Sequence, residues 1–415
     1  MDNFKQRRDE LVSRIGNDAA VVIAAAPISY RNRDVEYQYR QDSDFHYFTG
    51  FDEPESVMVL LPDKYVLFCR PRNPDQEVWV GTRAGLQGAK EIYLADESYD
   101  IADFSKEIKK MLQHKTVFCP SGEDLIYDEL EINPDITVAD LYPISSEMRI
   151  IKSESEIKRI TRAVEISSAA HSRAMRFVQP DMMEYELEAE ITHEFLRRGS
   201  RAAAYATIVG GGANACVLHY IDNNKPLKSG DLVLVDAGAE YDYYASDITR
   251  TYPVNGKFST EQKAIYELVL ETQLAIIEKI KPGLLFNEMQ ETAVQHITQG
   301  LVDLGILFGD VDELIEKEKY KQFYMHGAGH WMGMDVHDVG SYKLNDKPRP
   351  IQPGMVFTVE PGIYIAAANN VDKKWWNIGV RIEDDVLITE NGCDVLSDRV
   401  PKTVTDVEAL MAQKT

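Results

Sequence analysis

Two aspartates, Asp236 and Asp247, lie in a stretch that reads as two β-strands joined by a turn: Asp-Leu-Val-Leu-Val-Asp-Ala-Gly-Ala-Glu-Tyr-Asp-Tyr-Tyr-Ala-Ser-Asp-Ile-Thr-Arg-Thr-Tyr over 231–252. A hairpin centred near Tyr241-Asp242 sets residue 236 directly opposite residue 247. Paired Cβ atoms in an antiparallel ladder lie roughly 4.5 to 5.5 Å apart, and like charges at that spacing destabilise the sheet. A positive species between the two carboxylates removes the penalty. A lone Asp at a strand end is more often a turn or capping residue. Asp236, however, closes the apolar run 232–235, where a carboxylate is costly unless it is paired or bound to metal.

Three of the nine histidines crowd into Met-His-Gly-Ala-Gly-His-Trp-Met-Gly-Met-Asp-Val-His-Asp-Val-Gly (325–340). His326 and His330 are spaced like the pair of an HExxH zinc helix, but Gly327 stands where the general-base Glu is required, and two intervening glycines disfavour a helix. An isolated His is usually a satisfied core or surface residue; three beside flexible glycines are a stronger signal. Glu360 closes the apolar run 355–359 and precedes Pro361, which pushes it to extended backbone, so this carboxylate also stands at a strand end. In Gly-Val-Arg-Ile-Glu-Asp-Asp-Val-Leu-Ile (379–388), period two puts Arg381 and Glu383 on one face. Alone, that pair reads as a solvated and nearly neutral ion pair. Together, two Asp, two Glu and one His carry a formal charge of about −4, which two divalent cations would balance; without them the carboxylates repel or take up protons. Oxygen-rich ligation with one imidazole suits Mn2+, Co2+, Fe2+ or Zn2+.

These groups need elements to position them. A chain of 415 residues exceeds what one core usually supports and predicts two or three domains. Its composition, 44% hydrophobic and 27% charged, is that of a folded globular protein. A net charge of −23 repels phosphate backbones and anionic membrane, so neither nucleic acid nor membrane is expected as a partner. Cys69, Cys119, Cys216 and Cys393 form no CxxC pair, which fits reduced thiols in the cytoplasm. Residues 1–16 alternate in charge without a signal-peptide core, and no run of about 18 apolar residues follows.

Residues 2–14 read as an amphipathic helix on Phe4, Leu11 and Ile15. Strands are predicted at 21–25, 57–61, 65–69 and 116–119, with a helix over 101–113. Ser153, Glu154 and Glu156 suit the cap of a long helix over 154–177, which places a domain boundary near residue 148. Helices follow at 183–198, 260–280 and 286–304, a strand and hairpin region at 205–253, and short strands and turns over 324–396. The glycine run 210–212 lacks the GK[ST] ending of a phosphate loop, so close backbone packing is its expected purpose. Trp79, in a strand-and-turn context, reads by default as core packing.

The ligand-type motifs fall in a fixed order: Val-Asp-Ala-Gly (235–238), Ser-Asp-Ile-Thr-Arg-Thr (246–251), His-Gly-Ala-Gly-His (326–330), Thr-Val-Glu-Pro-Gly (358–362) and Arg-Ile-Glu-Asp (381–384). Over roughly residues 150–410 this resembles the signature of the M24 pita-bread metallopeptidases. Residues 1–148 resemble the creatinase-type N-terminal domain of aminopeptidase P and prolidase, through Tyr-Gln-Tyr-Arg-Gln-Asp-Ser-Asp-Phe-His-Tyr-Phe-Thr-Gly (37–50). Cys-Val-Leu-His-Tyr (216–220), Val-Asn-Gly-Lys-Phe (254–258), Gln-Glu-Val-Trp-Val-Gly (76–81) and the run 330–340 are most similar to the bacterial aminopeptidase P branch. Gly329, just before His330, departs from the family pattern and bears on local pocket shape.

The resemblance implies an α/β (α+β) fold, with a creatinase-type domain over 1–148 and a pita-bread catalytic domain over 149–415. It implies a peptide substrate with proline second, release of the N-terminal residue, and two divalent ions per subunit, Mn2+ foremost. Asp247 and Glu383 would lie between the ions, with Asp236 on one and His330 and Glu360 on the other. Glu360 would take up and return a proton, and His326 or His337 would stabilise the oxyanion. His219 would contact substrate, and proline would sit near His337, Arg381 and Tyr364. A homodimer or homotetramer is implied, with Trp79 reaching a neighbouring subunit's site. A prolidase-type dipeptidase is the alternative; a peptide-binding homologue without turnover is the alternative from another class, although no ligand is replaced.

Overall fold

Strands covered on both faces must be apolar almost throughout, and the first half of the chain supplies three of them. In the computed structural model, which describes residues 4–112, 115–121, 136–368 and 370–413, the chain divides into two compact units, Met1–Met148 and Arg149–Thr415. The first holds a six-stranded mixed sheet in the order Glu97–Asp100, Lys64–Cys69, Val57–Leu61, Ala19–Ala24, Thr116–Cys119, Thr137–Asp140. Its central pairs are antiparallel and its outer pairs parallel. Val22, Val59, Val66, Phe68 and Val117 form its core with Ile108 from the helix Phe104–Met111.

The N-terminal helix Phe4–Ile15 departs from a simple apolar stripe, because Arg7 and Arg8 are buried beside Leu11. Arg7 donates to the carbonyl of Tyr47 at 3.0 Å and Arg8 to that of Phe48 at 2.7 Å. These are carbonyls in the last turn of the helix Ser43–Thr49, whose end carries partial negative charge and lacks internal donors. The expected helix over 101–113 begins as a 3-10 turn, Ile101–Asp103, and continues as Phe104–Met111; position 113 lies outside the described residues. Trp79 corrects the sequence reading twice. It lies in a helix, Pro74–Val80, capped by Asn73, and it is 87% exposed rather than packed in the core.

In the second unit the helix Glu154–Phe177 starts at a capping box in which Ser153 N–H donates to Glu156 Oε2 at 2.9 Å. It packs on the helix Glu184–Arg197, which rests against the strand Ile208–Gly211. Small antiparallel sheets follow, among them Ile208–Gly211, Leu232–Asp236 and Thr249–Pro253; Val356–Val359, Asp384–Ile388 and Cys393–Val395; and Gly362–Ile365 with Ile378–Arg381. The helices Thr260–Lys279 and Phe286–Asp303 cover them around a core that includes Ile265, Val269, Trp331, Phe357 and Val380. No helix among the described residues is long and apolar enough to cross a membrane. The glycine run packs closely, as expected: a Cβ on Gly210 would press on the Asn214 and Ala215 backbone, and one on Gly211 on Leu227.

The segment carrying His330 and His337 has little regular structure, and a buried ion cluster anchors it. Asp338 accepts from Arg149 at 2.6 Å and from Lys152 at 2.9 Å, with all three side chains nearly inaccessible. Burial works against the Asp338 carboxylate, yet Lys152 and Arg149 outweigh it and hold its pKa below the ordinary value. Its stabilisation is therefore complete above the unfolded pKa of about 4 and is lost as pH falls through the lower folded value. Replacement by Asn leaves Lys152 buried without its counter-charge. We expect Asp338→Asn to cost about 3–5 kcal/mol in urea unfolding at pH 7, with the gap from wild type narrowing below about pH 4. A loss under about 1 kcal/mol would show that the cluster does not anchor this segment.

Candidate metal centre

The first aspartate is placed by the ladder between Leu232–Asp236 and Thr249–Pro253. Asp236 pairs with Thr249, not with Asp247. The same register continues through Ala237 N–H to Ile248 O (3.1 Å), Ser246 N–H to Ala239 O (3.1 Å) and the Tyr241–Tyr244 bridge. The turn is therefore Asp242-Tyr243, with φ of 50° and 69°, the two positive values that a tight hairpin turn requires. Shifting the turn centre by one position moves each partner by two residues, and residues two apart on a strand share a face. Asp236 and Asp247 are diagonal neighbours, still on one side. Tyr205 Oη lies 2.6 Å from an oxygen of each. A phenol has one proton, so it satisfies one carboxylate at a time.

His330 and Glu360 are brought together by backbone pairing. Thr358 N–H donates to His330 O at 3.0 Å and Glu360 N–H to Ala328 O at 2.9 Å. Gly329 is required between them, since a Cβ there would collide with the Thr358 carbonyl oxygen; this gives the departure from the family pattern a steric reason. The His330 Nδ1–H faces the Trp331 carbonyl at 3.0 Å, which leaves Nε2 for the cavity, 3.3 Å from Asp247 Oδ2 and 3.6 Å from Glu360 Oε1. A backbone acceptor on the far nitrogen is the arrangement that orients a metal-binding imidazole.

Arg381 and Glu383 are buried, which overturns the solvated-pair reading. Arg381 pairs with Asp236, donates to Thr249 Oγ1 (3.1 Å) and to Tyr364 Oη (2.9 Å). Thr249 Oγ1 in turn donates to Glu383 Oε2 at 2.6 Å, and Glu383 N–H to Thr249 O at 3.1 Å. Behind these, Asp247 N–H donates to Asp385 Oδ2 at 3.0 Å. The fully buried Arg250 joins Glu383 O (2.6 Å) to Asp384 Oδ1 (2.6 Å).

All five ligand-type residues line one cavity of about 480 Å3, together with His219, His326, His337 and Arg381. Leu218, Ile221 and Val336 add apolar wall. Tyr364 is not in that lining; it stands behind, 2.8 Å from His326 Nε2. His326 Nδ1 lies 2.7 Å from the Gly327 carbonyl, so it carries the proton, and Nε2 accepts from Tyr364. Neither nitrogen of His326 is free to donate into the cavity in this arrangement. Burial, then Arg381, pushes His326 down to about 4, leaving it neutral.

The electrostatics test whether cations fit. Burial and then the other carboxylates, Asp247 foremost, push Glu383 well above the usual range, and burial raises Asp236 despite Arg381. Glu360 is pushed up to about 7 by burial, with Asp247 and Asp236 adding to it against His330 and Arg381. Burial opposes charge on His330, but Asp247 and Glu360 outweigh it and push the imidazole up to about 9. The cluster draws protons wherever it can, as anionic groups short of positive charge must. Ligand atoms of Asp247, His330 and Glu383 all lie within 4.8 Å of one another, and the oxygen-rich donor set suits hard or borderline divalent ions. The residues fit a metal.

Sequence reasoning missed Tyr205, Thr249, Arg250 and Asp385. Thr249 had a signal, since it lies two residues from Asp247 on the same strand face. Tyr205 had none, because it reaches the aspartates only through tertiary packing.

Residues 158–390 match Metallopeptidase family M24, and residues 4–118 match Aminopeptidase P, N-terminal domain. The Xaa-Pro aminopeptidase of Haemophilus influenzae is 45% identical over 99% of this chain and 97% of its own length; that of Escherichia coli is 44% identical over 98% and 97%. Among solved structures, aminopeptidase PepP of Pseudomonas aeruginosa superposes with a TM-score of 0.96 at 49% identity, covering 99% of this chain and 97% of that one. Escherichia coli aminopeptidase P with the inhibitor Pro-Leu gives 0.95 at 45% identity, covering 99% and 97%. The mixed α/β architecture, the ordered carboxylate and histidine motifs and these full-length likenesses agree, and the chain belongs to metallopeptidase family M24.

Proposed function

We propose that this protein is a dinuclear metal-dependent aminopeptidase that hydrolyses the Xaa-Pro bond and releases the N-terminal residue from peptides with proline second. One observation carries the reading: Asp236, Asp247, His330, Glu360 and Glu383 converge in a single cavity, in a chain similar from end to end to Xaa-Pro aminopeptidases. We read 1–148 as the aminopeptidase P-type N-terminal domain and 149–415 as the pita-bread catalytic domain. Asp247 and Glu383 would be shared by the two ions, Asp236 would serve one, and His330 and Glu360 the other. When bound, the ions, Mn2+ by preference with Co2+, Fe2+ or Zn2+ as alternatives, supply an acidified water and Lewis-acid polarisation of the scissile carbonyl.

The side chains do the rest. Glu360 takes up a proton at its carboxylate and returns it to the leaving proline nitrogen. His337, which faces the cavity, donates to the oxyanion; His326 has both nitrogens engaged and instead holds Tyr364 and shapes the wall. His219 contacts the peptide from the opposite loop. The proline ring, which brings no N–H and a fixed φ, is selected by shape against His337, Arg381 and the Tyr364 behind it. Four free cysteines support a reducing, cytoplasmic setting. Val78, Trp79 and Val80, exposed at 83%, 87% and 71%, support a homo-oligomer with a contact at that helix.

Dialysis against EDTA is expected to abolish cleavage of an Xaa-Pro-Yaa tripeptide, and added Mn2+ to restore it. Full activity in a metal-free preparation would end the metallopeptidase reading, and turnover of Xaa-Pro dipeptides alone would convert it to a dipeptidase. Binding of these peptides without any turnover would favour the non-catalytic alternative. Glu360→Ala and Asp247→Ala should each lower kcat by about 10^3-fold or more, measured beside the metal content of each variant. Retention of the wild-type rate in either would remove that residue from the machinery.

A further inference from the structure

The loop that brings His219 to the cavity, with Leu218 and Ile221 beside it, is weakly held by ordinary means. After the 3-10 turn Gly212–Cys216 it contains neither helix nor strand as far as Lys225. Asn223 is the one buried residue between 217 and 225, while Val217, His219 and Ile221 are exposed. Leu218 and Tyr220, on either side of His219, are only half-buried where they pack on Ile208, Ala215, Leu234 and Tyr364, so apolar packing alone holds the imidazole loosely and a segment of this kind opens at low cost.

Glu184 supplies what packing does not. It begins the helix Glu184–Arg197, it is fully buried, and both carboxylate oxygens face this loop. Oε1 accepts from Gly211 N–H and Asn214 Nδ2, each at 2.9 Å. Oε2 accepts from Tyr220 Oη at 2.8 Å and from Lys225 N–H at 2.9 Å. The partners come from the start, the middle and the end of the loop, and Tyr220 adjoins His219. The backbone closes the clamp, Glu184 N–H donating to Lys225 O at 2.9 Å. Asn223, in the left-handed region at φ 45°, adds a second tie: its Oδ1 accepts from Val209 N–H at 3.0 Å and its Nδ2 donates to Thr207 O at 2.9 Å.

A buried carboxylate is costly unless hydrogen-bonded. Four donors aimed at its two oxygens, and its place at a helix N-terminus, stabilise this one. An amide is not equivalent. It would turn an NH2 toward two groups that already donate, and one end of the loop would lose its anchor.

We infer that Glu184, which does not line the cavity, is a positioning residue for the reaction: its carboxylate gathers the 211–225 loop and so sets His219 against the substrate. The inference rests on reading the cavity as the peptide site. It is tested with metal-loaded wild type, Glu184→Gln, His219→Ala and the double variant, by kcat and KM on an Xaa-Pro-Yaa tripeptide and by hydrogen–deuterium exchange over 211–225. Glu184→Gln should speed exchange in that loop, leave the helix Thr260–Lys279 protected, and lower kcat/KM by about 10- to 100-fold. On the His219→Ala background the same substitution should cost no more than about 2-fold, because its effect passes through His219. Glu184→Asp, which keeps the charge, should recover part of the loss. Additive losses in the double variant, or an unchanged loop and rate in Glu184→Gln, overturn the proposal. If Glu184→Gln does not fold, Tyr220→Phe removes only the bond beside His219 and is read by the same two measurements. Absence of turnover in the wild type would end the functional reading instead, and the exchange comparison would still decide whether Glu184 orders the loop.

Discussion

Four carboxylates and one imidazole share a cavity in which every negative charge is raised in energy by burial and by its neighbours. The protein relieves this only partly from its own resources. Arg381 neutralises Asp236, the single proton of Tyr205 serves two aspartates in turn, and His330 is drawn toward its charged form. What remains is a deficit of positive charge at the spacing of a metal site, and it explains why burial and neighbouring carboxylates raise Glu383 and Glu360 above the ordinary carboxylate range. Cations and protons would compete for these groups, coupling metal affinity to pH.

Holding such groups close together works against the fold, and the strands around the cavity are tied accordingly. Arg250 joins the carbonyls of Thr249 and Glu383 to the Asp384 carboxylate, which Lys402 also contacts at 2.6 Å. Burial alone would raise Asp384, but Arg250 and Lys402 hold it far below the usual carboxylate range. Asp384 is thus matched by cations, while its neighbour Asp385, buried against Asp247, and the carboxylates lining the cavity are left unmatched. Asp338 is matched in the same way, by Arg149 and Lys152, in the loop bearing His337. The contrast separates carboxylates that pin backbone from carboxylates available for chemistry.

Local regularity and functional precision are decoupled in this unit. The residues on strands, Asp236 and Arg381, are placed by ladders. His330 and Glu360 are placed by a few backbone bonds that require Gly329. His219 lies on a loop tied by hydrogen bonds to Glu184 at a distant helix end. In the N-terminal unit, likewise, two arginines on the first helix serve another helix's carbonyls instead of solvent.

The sequence by itself determined the candidate ligand residues, their order and most of the elements that carry them. Apolar runs ending in Asp or Glu, the break before Pro361 and the capping residues Ser153 and Glu156 are local signals, and local signals survive in one dimension. The hairpin register was legible only to within one turn position, because the pattern fixes which face a residue takes and not which residue it meets; the face was right and the partner was Thr249. Tertiary structure alone decided that Arg381 meets Asp236, that Tyr205 bridges the aspartates, that Tyr364 stands behind the cavity wall and that Trp79 faces outward. Each of these depends on contacts between residues far apart in the chain, for which a side chain's type and spacing carry no address.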